Sequence, residues 1–310
     1  MKNTETTQRY TLGDLENWAA VARNVHPPIR LGILGDPVAH SLSPEMQNAA
    51  LQACEIDGQY ARFHIRPAEL RSALRFLRDL DLVGVNLTVP HKLAGFMQID
   101  EADESARRIE AVNTIRLRDK KLIGSNTDGE GFLRAIRNEF SVDLRDLRVL
   151  ILGPGGGTGR AIAWQCAIEN CERLVLVNRT LDKASALAET LRSFFADARV
   201  LGPAARLEAI PWEESAIRAQ LGDIDLIVNA TPLGMNLSDH APMPGRLIAP
   251  YHLVFDCVYG PSKTALIRAA EQAGARSANG LSMLLYQGAQ SFSIWFNREP
   301  PIDVMRKALA

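Results

Sequence analysis

From residue 30 onward, short apolar runs alternate with segments of helical spacing. "IRLGILG" reads as a strand, "SPEMQNAALQAC" as a helix, "GQYARFHI" as a strand, "PAELRSALRFLRDL" as a helix and "LVGVNLTV" as a strand. Such alternation implies parallel β/α units, with helices laid on a sheet. Residues 110–124 break the rhythm, because apolar runs flank the charged turn "RDKK" and predict a β-hairpin at the sheet edge. After "NTDGEG", a helix over 130–140 leads into a second series whose strands are "LRVLILG", "RLVLVN", "DLIVNAT" and "LVFDCVY". "SMLLYQGAQSFSIWF" is a final helix, with apolar residues at 283–285, 292, 295 and 296, expected to return to the first domain. Upstream, Leu12, Leu15, Trp18 and Ala22 stand at helical spacing, so residues 11–24 are expected as a short amphipathic helix. It would dock on the body or on a second subunit. The expected division is an extension over 1–29, one domain from 30–128 with 281–310, and a second from 129–280.

Within "GVNLTV", Val85, Leu87 and Val89 alternate with Gly84, Asn86 and Thr88, and Pro90 ends the strand for want of an N–H. Asn86, Thr88 and Lys92 thus gather an amide, a hydroxyl and an ammonium at one strand's carboxyl end, with no packing purpose in view. Ser41 and Ser43 of "HSLSP" lie just before a helix with Pro44 in its first turn, where Ser43 also fits an N-cap. "AVNT" supplies Asn113, "SNTDG" supplies Asp128, both at the rim of the hairpin, and "YQGAQ" supplies Gln287. Singly each suits a turn or a cap. Together they are neutral hydrogen-bonders with one Lys and one Asp, a set that suits a small polyhydroxylated ligand.

"LRVLILGPGGGTGRAIAWQCA" is a buried strand running into a glycine cluster and then a helix. Gly153 and Gly155 permit a tight turn and let the backbone approach a pyrophosphate at the helix N-terminus. The strict G-x-G-x-x-G is unmet, since the third position counted from Gly153 is Thr158. The next strand ends in Asn178, Arg179 and Thr180, with Lys183 one turn on, where an NAD site would carry an acid. A cationic pair with a hydroxyl suits a 2′-phosphate, which points to NADP. In "NATPLGM", Thr231 and Met235 are placed to line the nicotinamide side.

Composition narrows the class. The chain has 310 residues, 46% hydrophobic and 23% charged, with formal net charge -1. That length supports two cores, and no global field draws the protein to nucleic acid or an anionic membrane. The N-terminus "MKNTETTQRY" is polar, without a signal or membrane-spanning run. Cys54, Cys166, Cys171 and Cys257 lack metal-ligand spacing, so reduced thiols in a cytoplasmic protein without a metal site are expected.

"HSLSPEMQNAA", "NLTVPHK", "AVNT", "NTDGEGF", "GPGGG", "NRT", "ATPLGM", "VYGPSKTALI" and "GLSMLLYQGAQSF" stand in the order and spacing of the shikimate dehydrogenase family, which the chain resembles over roughly residues 30–298. The resemblance implies an α/β fold: a mixed-sheet substrate-binding domain plus a Rossmann-type NADP-binding domain, with the active site in a cleft between. It implies reduction of 3-dehydroshikimate to shikimate with NADPH, in chorismate and aromatic amino-acid biosynthesis, by a monomer or homodimer. By motif, Ser41 and Ser43 would bind the substrate carboxylate. Thr88, Asn113, Asp128 and Gln287 would hold ring hydroxyls, with Asn86 and Tyr259 nearby. Lys92 would be the acid/base, and Glu104 matches a position at the cofactor side. Gly153, Pro154, Gly155, Gly156 and Gly157, with Asn178 to Lys183, would hold the cofactor phosphates. Cys257 and Gly280 would lie by the nicotinamide.

The chemistry suits these residues. Hydride arriving at a carbonyl carbon leaves charge on oxygen, which Lys92 can stabilise and protonate. Asp128, acceptor-only when ionised, can hold a substrate hydroxyl while aiming Lys92. Departures from the family pattern are Pro154 and Gly157 in "GPGGG", Glu110 in "EAVNT", and Lys183 in place of an arginine. Two other readings are a quinate or quinate/shikimate dehydrogenase using NAD or both cofactors, and a regulator that kept the fold without catalysis.

Overall fold

The apolar runs build two separate sheets in the computed structural model, which describes residues 9–196, 205–260 and 262–310. The chain divides into two compact units, one of the residues up to Thr127 with Leu284–Ala310, the other Asp128–Met283.

In the first unit the elements run β1 (Arg9–Tyr10), α1 (Leu12–Glu16), α2 (Trp18–Val21), β2 (Ile29–Gly35), α3 (Ser43–Ala53), β3 (Gln59–His64), α4 (Leu70–Leu77), β4 (Gly84–Leu87), α5 (His91–Phe96), β5 (Glu101–Ala102), α6 (Glu104–Ile109), β6 (Thr114–Arg118) and β7 (Lys121–Ser125). The mixed sheet has the order β1-β3-β2-β4-β6-β7-β5. β2 pairs parallel with β3 and β4, and β6 pairs antiparallel with β4 and β7. The hairpin turns at Asp119 and Lys120, whose φ values of 51° and 60° supply the left-handed pair that matches the strand twist. It is not the edge, because the two-residue β5 pairs with β7 outside it. Tertiary pairing made a strand there of a segment too short to carry a pattern.

Two other expectations change. The helix over 11–24 is two pieces, since Asn17 sits at φ −112° and ψ 27°, outside the helical well. The extension joins its own body: β1 pairs parallel with β3, and Tyr10, Trp18 and Phe63 stack with ring centroids 5.3, 5.7 and 5.8 Å apart. Residues 1–8 lie outside the described residues. β4 stops at Leu87 with all four residues buried, so the apparent alternation does not separate a wet face from a dry one. Val89, expected inside, is 40% exposed.

The second unit runs α7 (Asp128–Phe140), β8 (Arg148–Leu152), α8 (Gly157–Ile168), β9 (Arg173–Asn178), α9 (Leu181–Leu191), β10 (Leu207–Pro211), α10 (Glu214–Leu221), β11 (Leu226–Asn229), β12 (Leu253–Asp256), α11 (Ala265–Gln272) and β13 (Arg276–Asn279). α12 (Leu281–Phe296) and α13 (Ile302–Ala308) close the chain, and the division between the units falls within α12's first turn. The sheet order β10-β9-β8-β11-β12-β13 is parallel throughout, the 3-2-1-4-5-6 order of a Rossmann fold. Six strands replace the four read from apolar runs. The two extra strands are the edges, half-exposed in β10 and polar in "RSAN" of β13. Only the inner strands, buried on both faces, read as continuous apolar runs.

Candidate active site

The polar residues of the first unit converge on a buried network. Asn86 Oδ1 accepts from Tyr60 Oη at 2.8 Å, and its Nδ2 lies 2.9 Å from Asn113 O and 3.1 Å from both Thr114 Oγ1 and Ser291 Oγ. Asn113, 2% exposed, donates through Nδ2 to Thr127 Oγ1 at 2.9 Å and to Gln287 Oε1 at 3.2 Å. Its Oδ1 accepts from Thr127 N and Thr114 Oγ1, each at 2.9 Å. Ser291, fully buried, is 2.8 Å from Thr114 Oγ1 and donates to Gln287 O at 3.0 Å. The amide of Asn86 therefore has a packing purpose, contrary to its sequence reading. Thr114 and Thr127 stood inside "AVNT" and "SNTDG" without being singled out, and Ser291 went unnoticed because a small polar residue on an apolar helix looks like filler. Their signal was position: Ser291 falls between the buried Ala289 and Phe292 on α12.

Ser41 and Ser43 open α3. Its N-cap is Leu42, not Ser43, which is instead the first helical residue and 3% exposed. Ser41 Oγ accepts from Ser43 N at 3.3 Å. Behind this loop the nearly buried Arg62 pairs with Glu45 at 2.7 Å and donates to Ser41 O at 2.7 Å, pinning the loop to β3. The positive end of the α3 dipole favours an anion there, beside the two serine hydroxyls.

Thr88 follows β4 and accepts from His91 N at 2.7 Å, which turns the chain into α5. Lys92, partly exposed, is the second residue of that helix, and its carbonyl accepts from Val112 N at 2.9 Å. The buried imidazole of His91 donates to Ile65 O at 2.7 Å. Burial holds its pKa below the ordinary value near 6.5. Glu104 is exposed at the start of α6 and pairs with Arg108. Glu110 ends that helix at φ 55°, ψ 36°, the left-handed cap that glycine fills best.

In the second unit Gly153, at φ +85°, makes the turn out of β8. An added Cβ at Gly155 would sit 3.3 Å from Asn178 Oδ1 and 3.5 Å from Lys183 Cδ, so the glycine turn and the end of β9 are neighbours. Gly156 faces open space, with nothing within 4 Å of a built Cβ, and Pro154 is buried. Gly157 begins α8. The close-packing glycine is Gly159, one place beyond the strict pattern, whose Cβ would stand 2.3 Å from Gly153 O. Arg179, Thr180 and Lys183 are all exposed, with no carboxylate among Asn178–Thr180. This open backbone face at a twelve-residue helix, flanked by two exposed cations, fits a dinucleotide bearing a 2′-phosphate.

Asp128 is not on the hairpin rim. It is the first residue of α7, 3% exposed, and accepts from Thr158 Oγ1 of α8 at 3.4 Å. Thr231 follows β11, with its methyl against Gly153, where a built Cβ would approach to 2.5 Å. Cys257 N donates to Asn229 O at 2.9 Å, and Gly280 packs on Cys257, a built Cβ meeting its carbonyl oxygen at 2.2 Å. Tyr259 is partly exposed and Met235 is 48% exposed. Pro261 of "VYGPSKTALI" lies outside the described residues. Among the described residues no cluster of His, Cys, Asp or Glu is placed to hold a metal, and no helix is long and apolar enough to cross a membrane.

Comparison with known proteins adds to this geometry. Residues 33–115 match the model of the shikimate dehydrogenase substrate binding domain, and residues 280–310 that of the shikimate 5′-dehydrogenase C-terminal domain. The chain is 43% identical over 282 residues to the shikimate dehydrogenase (NADP(+)) of Methanopyrus kandleri, covering 90% of this chain and 94% of that one. Its fold is similar to a crystal structure of a shikimate dehydrogenase in complex with NADP+, with 34% identity, TM-score 0.79 and coverage of 91% of this chain and 94% of that one. It is also similar to the Thermus thermophilus shikimate 5-dehydrogenase in complex with NADP(H) and shikimate, with 35% identity, TM-score 0.76 and coverage of 91% and 98%.

Proposed function

The chain belongs to the shikimate dehydrogenase family, and from that premise we propose that it interconverts 3-dehydroshikimate and shikimate with NADP(H), a step of chorismate and aromatic amino-acid biosynthesis. The observation that carries this reading is the joint presence of Arg179 and Lys183 after a β9 that ends in asparagine rather than an acid, and of Ser41, Ser43, Thr88, Lys92, Asn113, Asp128 and Gln287. Bound NADPH would supply a hydride to the substrate's carbonyl carbon. Gly153 to Gly157 would hold its pyrophosphate, Arg179, Thr180 and Lys183 its 2′-phosphate, and Thr231, Cys257 and Gly280 its nicotinamide.

The rest of the work falls to the protein. Ser41 and Ser43 bind the substrate carboxylate at the start of α3, where the helix end favours negative charge. Lys92 Nζ stabilises the developing oxyanion and gives it a proton, taking the proton back in the reverse direction. The Asp128 carboxylate accepts from a ring hydroxyl, and Thr88, Asn113 and Gln287 fix the ring's orientation. Asn86 works from behind, since its amide already serves Tyr60, Asn113 and Ser291. Four cysteines outside any disulfide accord with a cytoplasmic enzyme, and we propose that it works on small molecules as a monomer or a homodimer.

Following reduced-cofactor formation with shikimate and NADP, then with quinate and NAD, tests the assignment. A larger kcat/KM for the first pair is expected. A larger value for the second pair would make the protein a quinate dehydrogenase.

A further inference from the structure

β11 and β12 are apolar along their length, through Leu226, Ile227 and Val228 and through Leu253, Val254 and Phe255, all buried. Each then ends in a polar residue with no exposure at all, Asn229 and Asp256, which are register partners on neighbouring strands. A buried carboxylate is costly unless donors surround it. Here they do. Asp256 Oδ1 accepts from Asn229 Nδ2 at 2.8 Å and from Val258 N at 3.1 Å, and Oδ2 accepts from Thr264 Oγ1 at 2.6 Å. Three donors and no acceptor suit the ionised form, although burial alone pushes its pKa up.

The chain of bonds continues outward. Asn229 Oδ1 accepts from Thr231 N at 3.0 Å and Thr231 Oγ1 at 2.7 Å, and Asn229 Nδ2 also donates to Leu233 O at 3.0 Å. Thr231 in turn lays its methyl on Gly153, the first glycine of the phosphate turn. On the other side, Val258 O accepts from Gly280 N at 3.3 Å, and Cys257 N bonds Asn229 O. Thr231 thus bonds the pair's side chains directly, while Cys257 and Gly280 join it through the main chain of Asn229 and of Val258, whose N–H Asp256 holds.

We infer that Asp256, acting through Asn229, is a positioning residue that fixes the nicotinamide-facing backbone against the phosphate turn. The inference rests on the NADP reading above and touches neither the 2′-phosphate end nor the substrate groups. Asp256→Asn turns an amide hydrogen toward donors, so the relay should loosen.

The test compares wild type, Asp256→Asn, Thr231→Val and the double variant. Nicotinamide emission of bound NADPH reports the ring's surroundings and needs no substrate. In both single variants that emission should move toward free NADPH, while the NADP-to-NAD preference and the KM for shikimate hold. Turnover should fall about 10- to 100-fold for Asp256→Asn, the usual worth of a hydrogen bond to a charged group, and the double variant should be no worse. Unchanged emission and turnover with only a lowered melting temperature would make Asp256 purely structural and overturn the inference, as would additive losses in the double variant. If Asp256→Asn does not fold, Thr231→Val decides alone, because its partly exposed position spares the core, and unchanged emission there would overturn it. Failure of wild type to oxidise shikimate would instead strike the proposed function, leaving the emission comparison readable.

Discussion

Thr158 Oγ1 donates to Asp128 Oδ2 across 3.4 Å, tying the first turn of the helix after the glycine cluster to the carboxylate proposed to hold substrate. Thr158 occupies the place where a strict fingerprint would carry its third glycine, so the departure from pattern supplies a hydroxyl. The bond is long for O–H···O⁻, and its loss should cost about 0.5–1.5 kcal/mol, or roughly two- to ten-fold. Thr158→Val should raise the KM for shikimate by that factor with NADP affinity unchanged, and Thr158→Ser should restore it. A change in NADP affinity alone would assign Thr158 to the cofactor.

Lys92 stands on a short helix whose start is fixed by the His91 N–H to Thr88 O bond and whose neighbour Val112 bonds the Lys92 carbonyl. The backbone therefore holds its place without help from the ammonium. Lys92→Ala should cut turnover about 100- to 10,000-fold, the ordinary worth of a general acid/base, with little change in shikimate affinity. Steady-state kinetics in both directions measures it. Turnover within a few-fold of wild type would give the proton to another group.

How much of this was legible from the residues follows from where burial is complete. β8, β9, β11 and β12 announce themselves because sheet interiors are dry on both faces, whereas β1, β10 and β13 are edges that tertiary pairing alone turns into strands. The helix break at Asn17 and the left-handed cap at Glu110 are backbone events with no hydropathy signature. Lys92, Asp128 and the cations after β9 stood out by chemical type. Asn86, Thr88 and Asn113 stood out by gathering at element ends, whereas Ser291 and Asn229 sit singly in apolar runs and show their role only through partners distant in sequence.

Arg179 and Lys183 offer the sharpest cofactor test. Both are exposed after β9, and Lys183 approaches Gly155 of the glycine turn. A charge-assisted contact contributes about 1.5–3 kcal/mol, one to two decades in affinity. Arg179→Ala should weaken NADP by that much and leave NAD nearly unchanged. Lys183→Ala should act more mildly, because an ammonium lacks the bidentate fork. Added salt should shrink the preference, exposure leaving both cations screened. Titrations of both cofactors decide it, and equal weakening of NADP and NAD would make Arg179 a support for the fold.

Stability should fall with acid, and His91 shows why. Burial holds its imidazole below the ordinary value near 6.5, against the opposing pull of its bond to Ile65 O and the charge of Asp36. His252 in the second unit shifts the same way, and its Nδ1 accepts from Ala249 N at 2.9 Å, a bond that protonation destroys. The unfolded chain therefore takes up a proton at each site before the native protein does. The contribution is whole above about pH 6.5 and is lost as pH falls below it toward the depressed native value, with a slope of at most about 1.4 kcal/mol per pH unit for each histidine. Urea unfolding at pH 7.5, 6.5 and 5.5 should show this decline. His91→Gln keeps a donor for Ile65 O and cannot titrate, so its decline should be shallower by up to that amount. An identical slope in wild type and His91→Gln would mean that His91 is protonated equally in both states, and that acid acts elsewhere.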